Sequence, residues 1–170
     1  MAKAVLISIR PEWVAKIANK IKTVEVRKTK PNLKTPFKCY IYCTNTRPVL
    51  VWDGVFNGHV AGEFVCDRID SINPAYEPHG IYDVDDDFVA QTCLANGALW
   101  DYGKGATLYG WHISKLEMCD TPKPLSEFKG LCKVEADCGC CPYYNYIKMD
   151  CDGRTIKRPP QSWCYVEELK

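Results

Sequence analysis

Two groups of residues carry most of the chemistry in this sequence. In KTVEVRK, Lys22 to Lys28, the polar Thr23, Glu25 and Arg27 alternate with Val24 and Val26. A strand with that pattern places a carboxylate and a guanidinium on one face and two valines on the other. Lys22 stands immediately ahead of it. A lysine, a glutamate and an arginine so close together have two readings. They form a set of charged contacts for a bound molecule, or they form a cross-strand ion pair on a wet face, worth under ~1 kcal/mol.

The second group is Cys132, Cys138, Cys141 and Cys151, with intervals of five, two and nine residues and with Cys140 as a spare. Two cysteines separated by two residues can chelate one ion from a tight turn, and two outlying thiolates complete a tetrahedron. The expectation is a structural zinc ion that orders a loop rich in Gly, Asp and Tyr with few residues able to form a core. The competing reading is a set of reduced thiols, or of disulfides formed only on exposure to air. Cys39, Cys43, Cys66, Cys93, Cys119 and Cys164 mostly fall in strand-like runs and read as small core hydrophobes.

Single residues add less. His112 and Glu63 are candidates for proton transfer, although a histidine on a long strand is more often a hydrogen-bonded structural residue. Trp111, Trp163, Tyr40 and Tyr42 lie on expected strands, where an aromatic either stacks on an unpaired base or fills the core. Trp163 follows PPQS at the mouth of a strand, so its ring can face a cleft. No nucleophile triad, phosphate loop or catalytic metal motif is present in the sequence.

The elements that must position these residues follow from periodicity. AVLISI (Ala4 to Ile9) is a continuous apolar run that suits a strand buried on both faces. Pro11 then opens a helix in which Trp13, Val14, Ile17 and Ala18 recur at helical spacing, with Asn19 at the exit. KTVEVRK is the second strand. KCYIYC (Lys38 to Cys43) is the third, with Cys39, Ile41 and Cys43 on one face, and HVAGEFVCDRID (His59 to Asp70) is the fourth. A helix is expected over roughly 84–94, where Asp85, Asp86 and Asp87 suit the positive end of its dipole. ATLYGWHISKLEM (Ala106 to Met118) is the fifth and longest strand, TPKPLSEF a connector, and Trp163 to Val166 a final strand. The expected fold class is α+β: a small, mostly β barrel with two or more helices and a Cys-rich loop.

The chain of 170 residues suits one domain, and no apolar run approaches the ~18 to 20 residues of a membrane-spanning helix. Its start reads as a first strand and not as a signal peptide, so a cytoplasmic location, with the 11 cysteines kept reduced or metal-bound, is expected. Net charge is only +1, but residues 1–48 carry 11 Lys or Arg against 2 Asp or Glu, and residues 49–102 carry 1 against 10. A basic first third attracts phosphates, unless folding brings the acidic segment against it.

The order of strand, helix and KTVEVR strand resembles the ASCH family, named for activating signal cointegrator homology, whose fold is a PUA-like β-barrel. That family's motif, G-x-K-x-x-E-x-R, is matched here by Lys22, Glu25 and Arg27, with Lys20 at the glycine position. IRPEW (Ile9 to Trp13), GEF (Gly62 to Phe64) and the strand through Trp111 and His112 are also similar. The resemblance covers about the first 120 residues and the terminal strand. It implies a single domain over 1–170 with a Cys-rich insertion at 129–158. RPPQSWCYVEE in turn resembles small proteins of bacterial prophages.

In the family the motif strand borders a cleft that receives RNA or a nucleobase. The resemblance therefore implies an RNA-binding module whose contacts are Lys20, Lys22, Thr23, Glu25, Arg27 and Trp163. Lys22 and Arg27 would meet phosphate or base oxygens, and Glu25 an exocyclic amine. Some relatives are amidohydrolases of acetylated cytidine that use the motif lysine, a threonine and a glutamate. Lys22 matches that lysine, but Glu25 stands where the threonine would be, which leaves Lys22, Glu25 and Glu63 as the catalytic candidates. A ribonuclease role and a protein-interaction role for the zinc loop are further alternatives, and the sequence does not define an oligomeric state.

Overall fold

The computed structural model describes residues 2–45, 57–75, 80–132, 144–147, 150–151 and 154–169. The chain runs β1 (Lys3–Ile9), α1 (Pro11–Ala18), β2 (Val24–Arg27), β3 (Phe37–Cys43), β4 (Val60–Ile72), α2 (Asp86–Thr92), α3 (Asn96–Gly103), β5 (Leu108–Lys123), β6 (Tyr144–Asn145), β7 (Asp150–Cys151) and β8 (Trp163–Glu167). Six strands form one sheet in the order β2-β5-β4-β3-β1-β8, and β6 with β7 forms a small separate hairpin. Among the described residues only β1 and β3 pair in parallel, an arrangement that α1 makes possible by starting the crossover between them. β2 and β8 are the two ends of the sheet, so the barrel is not closed by backbone hydrogen bonds and an open seam remains between them.

The expectation for β1 holds: every residue after Lys3 is buried. Alternation along β3 sorts its side chains into two cores. Phe37, Cys39, Ile41 and Cys43 pack with Val5, Ile7, Phe64 and Trp111 inside the curved sheet. Tyr40 and Tyr42 pack with Leu6, Phe128 and Val166 on the other side. Trp111, Tyr40 and Tyr42 are thus core residues. Burial pushes the Cys66 thiol up to about 12 and Cys43 to about 11, and holds Cys39 well above its usual value, so these three remain protonated fillers. Cys93, Cys119 and Cys164 are only partly buried.

A third, smaller core joins Val26, Ile72, Tyr82, Leu99 and Leu108, and it seats the α2–α3 segment against β2 and β5. Gly110 permits this approach, because a Cβ there would come within 2.6 Å of the Phe88 ring on α2. The Asp85 side chain caps α2 by accepting from the Phe88 N–H at 2.7 Å. α3 had no sequence signal. Its apolar residues do not form a stripe, and a glycine stands at its second position. Among the described residues no helix is long and apolar enough to cross a membrane.

Candidate functional site

β2 departs from the alternating pattern in one respect: all four of its residues are buried. As an end strand it would show one face to water, but the α2–α3 segment covers it from one side while α1 and the β1 terminus approach from the other. The charged side chains therefore lie in the wall of a cavity at the open seam, and the wet-face ion pair is not what forms. Lys22 is 2% exposed and both Glu25 and Arg27 are 7% exposed.

Their contacts form one network. Glu25 Oε1 is ion-paired with Arg27 Nη2 at 2.9 Å, and Glu25 Oε2 lies 3.4 Å from Lys22 Nζ. Lys22 Nζ also donates to the Thr92 carbonyl at 2.6 Å and sits 5.2 Å from the centre of the Trp13 ring. Arg27 crosses the seam, donating from Nη2 to the Ser8 carbonyl at 2.6 Å and from Nη1 to Ser162 Oγ at 3.4 Å. A side-chain bridge thus stands where a backbone ladder would close the barrel. Burial lowers the pKa of Lys22, and the Glu25 carboxylate opposes that shift without cancelling it.

The cavity has a volume of about 490 Å³. Arg10, Trp13, Thr44, Ala98 and Tyr102 share its lining with the charged network. Two of the lining residues, Arg27 and Thr44, each carry a buried polar atom without a hydrogen-bond partner, Nε and Oγ1, beneath the cavity surface. Counting side chains, two buried cations share one carboxylate and Arg10 adds a third positive charge, so the wall favours an anion.

The remaining candidates sit elsewhere. Thr23 lines a separate depression with Asp67, Arg68, Gln91 and His112 on the far side of the β2 entry. There His112 Nε2 lies 2.6 Å from Asp70 Oδ2 and 3.0 Å from Arg68 Nη2, a hydrogen-bonded surface cluster. Glu63 is held by Lys38 at 2.8 Å and is not brought to Lys22 or Glu25. Trp163 packs against Trp111 and Tyr165 and donates to Thr29 Oγ1, so its neighbours Gln161 and Ser162 line the cavity in its place.

Lys20 is exposed and takes φ +58°, with its N–H on the Ile17 carbonyl and the Ile21 N–H on the Lys16 carbonyl. This pair of bonds is a Schellman exit from α1, in which that residue is left-handed and glycine is preferred. The geometry explains the glycine of the family motif, and Lys20 sits there as a turn residue.

Of the sulfur cluster, Cys138, Cys140 and Cys141 lie outside the described residues. Cys132 is exposed and Cys151 is in β7. Among the described residues no three His, Cys, Asp or Glu side chains group as metal ligands. The expected insertion has its ends tied together, with Gly130 N–H on the Arg154 carbonyl at 2.7 Å.

No family model and no curated protein matches the sequence. Solved structures do match. A crystal structure of ASCH from Zymomonas mobilis superposes with a TM-score of 0.58 at 18% identity, covering 97% of this chain and 88% of that one. The fold is that of ASCH structures. A tyrosine-to-phenylalanine variant of the same protein gives 0.56 at 18% identity over 98% and 92% of the two chains. A serine-to-alanine variant gives 0.55 at 18% identity over 97% and 89%. This ASCH-like fold spans the sheet, α1 and the α2–α3 segment, the elements that build the seam cavity.

Sequence reasoning missed Arg10, Thr44, Ala98, Tyr102 and Ser8 as cavity residues. Ser8 carried a signal, since it is the one polar residue in an otherwise apolar run. The others come from two separate connections, β1–α1 for Arg10 and the exit of β3 for Thr44, and from α3, and nothing local marks them.

Proposed function

We propose that this ASCH-like chain binds single-stranded RNA by admitting one nucleotide-sized unit to the seam cavity. The carrying observation is that two buried cations share a single carboxylate in a cavity of about 490 Å³, a volume ordinary for a small-molecule site. Arg10 and Arg27 supply donors for phosphate, and Trp13 and Tyr102 offer ring surface for a base. The fold likeness supports the reading at the level of architecture.

Titration of the purified chain with nucleoside monophosphates and short RNA at two salt concentrations tests it. The expected affinity falls steeply with salt. Ala98→Trp, which fills the mouth without touching the ionic network, should abolish binding of monophosphates, and Arg10→Ala should weaken every phosphate-bearing ligand. Absent binding, or binding indifferent to salt and to Ala98→Trp, overturns the proposal.

A second reading is hydrolysis, favoured by the place of Lys22 in the cavity wall beside Glu25, with burial lowering its pKa toward that of a proton acceptor. Water would add to the acyl carbon of an acetylated cytidine and release acetate and the free amine. Acetate release no faster than in the protein-free control, with intact RNA in parallel incubations, removes both the amidohydrolase and the ribonuclease readings.

We also propose a structural zinc ion held by Cys132, Cys138, Cys141 and Cys151, supported by their spacing in the sequence. Elemental analysis of reduced protein should find about one zinc per chain. Metal-free protein would leave these cysteines as simple thiols.

A further inference from the structure

Three lysines follow Arg27 within seven residues, at Lys28, Lys30 and Lys34, all exposed. The first two rest on aromatic rings. Lys28 Nζ lies 4.9 Å from the ring centre of Tyr102, and Lys30 Nζ lies 5.1 Å from that of Tyr109. Tyr102 lines the cavity, while Tyr109 is the cross-strand partner of Arg27 on β5. The two lysine–tyrosine pairs therefore start at the cavity and lead away from it past the end of β2. Neither lysine is ion-paired among the described residues.

The segment that carries them is held in place across the seam. Trp163 Nε1 donates to Thr29 Oγ1 at 3.0 Å, and the Asn32 N–H donates to Tyr165 Oη at 2.7 Å, so both bonds reach from the segment to β8. Lys28 and Lys30 are in consequence presented from a backbone fixed before any ligand arrives.

We infer that RNA continues out of the cavity over Tyr102 and Tyr109, with Lys28 and Lys30 moving from the rings to the phosphates as bases take their place. This inference rests on the reading of the cavity as a nucleotide site. An ammonium on an exposed ring is weakly held and exchanges readily. A base stacks on any ring face, and a displaced lysine one or two residues along the chain remains within reach of the adjoining phosphate. The alternation of ring and cation is what a single strand needs, because its bases and phosphates alternate in the same way. A small anion bound in the cavity alone would need none of it.

Binding of oligouridylates of about one to six nucleotides, with the full chain at two salt concentrations, tests the inference. Affinity should climb over about the first three or four nucleotides and then level off. Lys30→Ala should reduce the salt dependence for the longer oligomers by roughly 0.7 in slope, one phosphate contact on a single strand, and leave uridine monophosphate unaffected. Tyr109→Leu, which keeps apolar volume against the core, should weaken the longer oligomers about tenfold with no change for the monophosphate. Monophosphate binding that gains nothing with length overturns the inference and leaves the cavity reading intact. Oligomer binding that persists in Ala98→Trp overturns both. Equal binding of an oligoglutamate of the same charge shows that charge alone is recognised and also overturns it.

Discussion

Lys22 and Lys38 each face a glutamate, at 3.4 Å and 2.8 Å, yet the two surroundings drive them in opposite directions. At the seam every member of the Lys22–Glu25–Arg27 network has a side chain at most 9% exposed, and burial lowers the pKa of Lys22. On the outer layer Lys38 meets Glu63 and Glu168 with side chains 24 to 36% exposed, and the Glu63 hydrogen bond raises its pKa. The residue types are the same. What differs is the water available to the ammonium: desolvation outweighs the partner in the first place and the partner outweighs desolvation in the second. The Lys38 cluster behaves as a surface clasp near the C-terminus, whereas the Lys22 network holds its charges against the cost of burial.

The largest expected effect comes from removing each carboxylate. Glu25→Ala leaves two buried cations without their shared partner and should cost about 3–5 kcal/mol, with Glu25→Gln nearly as costly because the charge is what both cations need. Glu63→Ala should cost under ~1 kcal/mol. Urea unfolding of the variants measures both, and comparable midpoints would dissolve the distinction between the regions. Glu25 is for this reason a poor choice for probing recognition, whereas Arg10 and Ala98 line the cavity without carrying the network.

A smaller effect should appear in alkaline solution, with opposite signs for the two lysines. The folded pKa of Lys22 is below 10.5, so the unfolded chain binds that proton more tightly and the contribution of Lys22 to stability rises as pH climbs toward 10.5. The folded pKa of Lys38 is above 10.5, so its contribution is complete below 10.5 and is lost as pH rises through the higher folded value. Stability measured against pH in Lys22→Met and Lys38→Met should therefore differ from the parent by slopes of opposite sign. Slopes of equal sign would mean that the two ammonium groups see similar surroundings.

How much of this contrast could be read in the sequence depends on distance along the chain. β1, α1, β3 and β8 were legible because each has its own periodicity, and Lys22, Glu25 and Arg27 were found by spacing and resemblance. The alternation of KTVEVRK looks the same on a wet strand as on a covered one. What buries it is the distant α2–α3 segment, through contacts such as Lys22 with the Thr92 carbonyl, 70 residues along the chain. That acceptor is a backbone atom, invisible to any reading of residue types. β4 runs two residues past its expected end, and β5 continues through Lys123, where TPKP had suggested a connector, because Lys123 pairs with Val60 at the end of the β4–β5 ladder.

The smallest expected effect tests whether the turn ahead of the seam network adds to its cost. Lys20 holds φ +58° in a Schellman exit, where a side chain with a Cβ costs about 1 kcal/mol and glycine costs nothing sterically. The same turn places the Lys22 N–H on the Lys16 carbonyl at 3.1 Å, and so sets where the Lys22 side chain enters the cavity. Lys20→Gly removes the strain but adds freedom to the unfolded chain, and the two terms partly offset. The net expectation is a gain of a few tenths to about 1 kcal/mol in urea unfolding, with monophosphate affinity unchanged because Lys20 lies outside the cavity lining. A loss of stability would mean that the Lys20 side chain supports α1 through its stem. A change in affinity would mean that the turn, and not the burial of β2 alone, positions Lys22, and the contrast with Lys38 would then rest partly on backbone geometry.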